Sequence, residues 1–67
     1  MNSEKKLQIH RLLDLIADTN ELIEMHKSRA PKGRLQVEQY QQLKARYEEE
    51  LLGLLRSELD LHLATAA

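Results

Sequence analysis

The chain has 67 residues, no cysteine, no Trp or Phe, and ten basic against eleven acidic side chains, for a formal net charge of −1. That length allows one domain with a thin core. The lack of cysteine removes disulfide and thiol chemistry. The charge balance argues against a protein that coats nucleic acid or membrane, and two tyrosines make no base-stacking platform.

The chain opens MNSEKKLQIHR, which has no apolar core of the kind a secretory signal needs. No apolar run reaches the ~18 residues of a membrane span. The expected location is the cytoplasm, with no membrane partner. Asn2 or Ser3 is placed to cap a first helix, and Glu4 suits the positive end of its dipole. Helix 1 is expected over about 4–28. Ile9, Leu12, Leu13, Ile16 and Ile23 share a face, with Leu15 and Leu22 flanking it seven residues apart. Thr19, Asn20 and His26 lie on or beside that stripe.

A bend follows over 29–34. Pro31 has no N–H and disfavours helix at Ala30, so helix 1 stops here. Gly33 offers unusual backbone angles or a weak N-cap, and Gln36 stands at the partner position of a capping box. Lys27, Arg29, Lys32 and Arg34 place +4 in 27–34 with no acid among those residues. The flanking segments sum to −2 (1–26) and −3 (35–67).

Helix 2 is expected over about 35–63. At 100° per residue, Val37, Tyr40, Leu43, Tyr47, Leu51, Leu54, Leu55 and Leu61 form a stripe about 120° wide. Lys44 and Glu58 project close to it; snorkelling suits Lys44, and the role of Glu58 is open. Gly53 interrupts the helix on the other face, at a cost of ~1 kcal/mol against Ala. Residues 64–67 have no anchor and are expected to fray.

Two stripes facing each other satisfy an antiparallel hairpin, because so short a bend joins antiparallel neighbours. They leave Leu15, Leu22, Leu52, Leu59 and Leu63 beside the seam. A face this wide needs more than one neighbour, so these five leucines are the expected dimer interface. The expected fold is therefore all-α: one domain, a two-helix hairpin pairing as a homodimeric four-helix bundle.

The residues that could carry chemistry point to none. Each of His10 and His62 has an acid four residues away, at Asp14 and Glu58, but a metal needs three or four converging ligands. Glu48, Glu49 and Glu50 read as a solvated helix face. No nucleophile–base–orienter set is present, and a two-helix hairpin offers no deep pocket for one. No catalytic residue, metal site or cofactor is expected.

In size, topology and composition the chain is similar to small helical-hairpin proteins that dimerise into four-helix bundles, among them an RNA-binding regulator carried on plasmids. No motif matches residue by residue, so no functional residue is carried over. The expected function is that of a non-enzymatic interaction or regulatory module, with a second copy of itself and another protein as partners. The alternative is an RNA- or DNA-binding regulator that uses Lys27, Arg29, Lys32 and Arg34.

Overall fold

The computed structural model describes residues 2–29 and 31–66, the last two by backbone alone. Two helices, α1 (Ser3–Lys27) and α2 (Arg34–Ala66), pack against each other as a hairpin. The result is a rod with extents of 54 × 17 × 12 Å.

Of the two expected caps, Asn2 is the one that closes the start of α1. Its side-chain oxygen accepts from Lys5 N–H at 2.7 Å, and its carbonyl accepts from Lys6 N–H at 3.1 Å. These contacts satisfy donors that the first turn leaves without a helical partner. At the far end Ser28 closes the helix, its hydroxyl donating to the Met25 carbonyl at 2.6 Å.

The bend is a run of tight turns. Arg29 N–H donates to His26 O, Lys32 N–H to Arg29 O and Arg34 N–H to Pro31 O, at 3.1, 3.1 and 3.2 Å. Ala30, where the proline is expected to exclude helix, lies outside the described residues. Gly33 is buried, and its carbonyl accepts from Val37 N–H at 3.0 Å, so it stands at the N-cap position of α2. Its backbone is not left-handed; a Cβ there would overlap the carbonyl oxygen of His26. Close approach, not a special φ, is what this site demands of glycine. Gln36 does not complete a capping box: its Oε1 is buried with no hydrogen-bond partner among the described residues.

The seam follows alternating three- and four-residue steps on both helices, as facing helices require. On α1 it runs through Lys5, Ile9, Leu12, Ile16, Thr19, Ile23 and His26, all buried or half-buried. On α2 it runs through Val37, Tyr40, Lys44, Tyr47, Leu51, Leu54 and Glu58, all half-buried. Polar groups close both ends. Lys5 Nζ lies 3.3 Å from Glu58 Oε2 and 3.5 Å from Ser57 Oγ at the open end. His26 and Tyr40 stack at 5.5 Å between ring centroids beside the bend. Glu58 thus acts across the seam, where a partly exposed pair sets register more than it adds stability.

Four expectations change. Leu13 is exposed, since it stands about 100° round the helix from Leu12. Asn20 is also exposed, and Thr19 takes the seam position, with its Oγ1 donating to the Leu15 carbonyl at 2.6 Å. Leu55 and Leu61 leave the seam for different reasons. A seam with a seven-residue repeat drifts ~20° per heptad on a straight helix, so by Leu55 it has moved away from that residue. Leu61 still points along the seam but lies past its last contact among the described residues, Lys5 with Glu58. α2 runs as helix through Ala66; alanine is the best helix former, and no breaker intervenes. Ala67 lies outside the described residues.

Among the described residues only Leu12 and Ile23 are buried hydrophobics, with Thr19 as the buried polar residue. Two helices cannot enclose more. No helix here is long and apolar enough to cross a membrane.

Candidate functional site

The hairpin has two long flanks, and the sequence treats them differently. One carries an open groove of about 470 Å³, lined by Gln8, Arg11, Leu12 and Leu15 from α1 and by Tyr47, Glu50, Gly53 and Leu54 from α2. Nothing lies within 4 Å of where a Cβ on Gly53 would sit. The missing side chain deepens this groove and does not serve α1–α2 contact.

The other flank carries leucines. Leu55 and Leu52 stand about 100° and 160° round the helix from Leu54, which carries them past the seam to the side away from the groove. Leu59 follows Leu52 by two turns, and Leu63 follows Leu59 by about one. Leu13 stands about 160° from Leu15 and so faces the same way from α1. Leu13 is 49% exposed, Leu52 62%, Leu55 42% and Leu59 57%. Leu63 is exposed as well.

The five leucines read as an interface are therefore divided. Leu15 and Leu22 are half-buried within the hairpin, Leu15 as part of the groove wall. Leu52, Leu59 and Leu63 are exposed on the opposite flank. The structure adds Leu13 and Leu55 to that flank. The signal in the sequence that separates them is the alternating three- and four-residue rhythm of the whole seam, which excludes both; a stripe of fixed angle admits them.

The bend divides its cations in the same way. Arg29 and Lys32 line a shallow recess with Gly33 and Gln36, while Lys27 and Arg34 line another with Pro31 and Val37. Eighteen residues make about five turns. Gln36 is thus in line with Leu54 on the groove flank, and Arg34 with Leu52 on the leucine flank. All four cations are exposed, and Lys27 Nζ lies 3.8 Å from Glu24 Oε1. Two cations on each side give no converging phosphate cradle. Wild type is accordingly expected to give no specific RNA or DNA band shift at physiological salt. Arg29→Gln, Lys32→Gln and Arg34→Gln together should leave stability nearly unchanged. A tight, salt-sensitive complex abolished by that triple variant would reverse this assignment.

The histidines and the glutamate run are placed as follows. His10 is exposed, and His26 is held against Tyr40. Glu48, Glu49 and Glu50 are exposed. Among the described residues no group of three or more His, Asp or Glu side chains is placed to hold a metal ion. No protein-family model, curated protein or solved structure matches the chain.

Proposed function

We propose that the chain is a non-enzymatic interaction module of the cytoplasm that works as a homodimer, its four helices forming a bundle that presents a surface to another protein. The observation that carries this reading is the flank of Leu13, Leu52, Leu55 and Leu59, exposed on a hairpin with only two buried apolar side chains among its described residues. Contiguous apolar surface of this kind marks interaction sites on soluble proteins.

Size supports the same reading. The radius of gyration is 15.8 Å, against about 11 Å for a compact chain of this length. The accessible surface is 5496 Å², against about 4,400 Å² for a compact protein of this mass. The excess is roughly 1,100 Å², and a standard interface takes about 800 Å² from each partner. One hairpin therefore exposes the area that a second could cover.

Pairing that supplies much of the core couples association to folding. The melting temperature should rise with protein concentration, because only the folded state binds its partner. Sedimentation equilibrium at micromolar concentration should give twice the chain mass. A folded chain that stays monomeric at high concentration, with a melting temperature independent of concentration, would remove the dimer.

A further inference from the structure

We propose that the second copy packs antiparallel over the open half of the leucine flank, so that the two basic bends stand at opposite ends of a rod longer than one hairpin. This rests on the homodimer above and adds its orientation and register.

Three observations converge. First, the exposed leucines of this flank lie on one half of the rod. Leu52, Leu55, Leu59 and Leu63 lie on the second half of α2, and Leu13 on the half of α1 that packs beside it. Toward the bend the same flank carries Lys27 and Arg34 around Pro31 and Val37. Second, α2 has 33 residues and α1 has 25. The end of α2 therefore runs on past the start of α1, and Leu63 is exposed there. Third, the bend carries +4 in eight residues, while the rest of the chain is acidic.

Two symmetric arrangements cover the leucines. With the hairpins parallel, each residue of the flank meets its own copy along the whole rod. Lys27 and Arg34 then face their equals, and both +4 bends lie within about one Debye length of each other. With the hairpins antiparallel and the two-fold axis near Leu55, Leu52 comes beside Leu59 of the partner subunit, so the apolar patch covers itself. The polar half, with all four bend cations, lies beyond the overlap, and the bends stand roughly 65 Å apart at 1.5 Å per residue. Only the antiparallel arrangement covers the leucines without placing like charges against each other.

The chain has no cysteine, so single labels test this directly. Lys32→Cys marks the bend and Asp60→Cys the open end; both positions are exposed. Each variant is spin-labelled, checked for wild-type helicity and for mass by sedimentation, and measured by pulsed dipolar spectroscopy. The expected result is a dimer with a distance of roughly 70 Å between bend labels and one within about 30 Å between open-end labels. Distances within about 30 Å for both labels would overturn the antiparallel arrangement while the dimer stood. A monomeric mass with no distance for either label would overturn the homodimer itself. A mass above two chains would overturn this proposal in favour of head-to-tail assembly, with the leucine flank of one copy in the groove of the next.

Discussion

Replacing Leu52 and Leu59 together by glutamate should turn a dimer into a largely unfolded monomer. In a lone hairpin both side chains point into water, at 62% and 57% exposure. Glutamate is a good helix former, so a surface change of this kind is worth only about ±0.5 kcal/mol when nothing covers it. Under a second copy the balance differs. Each leucine buried contributes about 1.5–3 kcal/mol, and a carboxylate in its place cannot be buried without a partner. Losing two such residues per chain removes roughly as much as the ~3–5 kcal/mol that a core of this size supplies. Circular dichroism at 222 nm and sedimentation should therefore both collapse. Glu38→Gln with Glu49→Gln, both exposed on the side of the same helix turned away from α1, should preserve mass and melting temperature. If the leucine variant melted like wild type with unchanged mass, this flank would not be the interface.

Alanine at the two glycines should act in opposite directions. At Gly33 the new methyl would overlap the His26 carbonyl oxygen. That oxygen accepts from Arg29 N–H in the first turn of the bend, and the His26 ring stacks on Tyr40. Backbone must shift to admit the methyl, and overpacking of this kind costs about 1–3 kcal/mol. At Gly53 nothing lies within 4 Å, and exchange for alanine in a helix interior returns up to ~1 kcal/mol. Each kcal/mol moves the melting temperature by about 4–8 °C for a domain of this size. Gly33→Ala should therefore melt well below wild type and Gly53→Ala a few degrees above, at matched concentration. A neutral Gly33→Ala would show that the bend yields easily. A destabilised Gly53→Ala would show that the groove flank is covered after all, since only a close neighbour penalises a methyl there.

Local features are legible in the amino-acid sequence itself. Asn2 caps because its side chain reaches a free N–H. Ser28 closes α1 because its hydroxyl reaches the Met25 carbonyl three residues back. The apolar spacing gives two helices, and a bend too short for any other path folds one back on the other. These are short-range effects, decided by residues a few positions apart. The assignment of leucines to faces is different. Leu13, Leu55 and Leu61 belong to the seam if each helix is read alone as a fixed stripe. Which of them is covered depends on how the seam drifts along its partner and on where that partner ends. The same holds for Gly33, whose glycine is required by the carbonyl of His26, seven residues away on the other helix. It holds for Glu58 as well, whose partner Lys5 is distant in the chain. Composition and rhythm determine that two helices form and meet; only the packed pair decides which flank is left over, because exposure belongs to a pair of surfaces and not to either one.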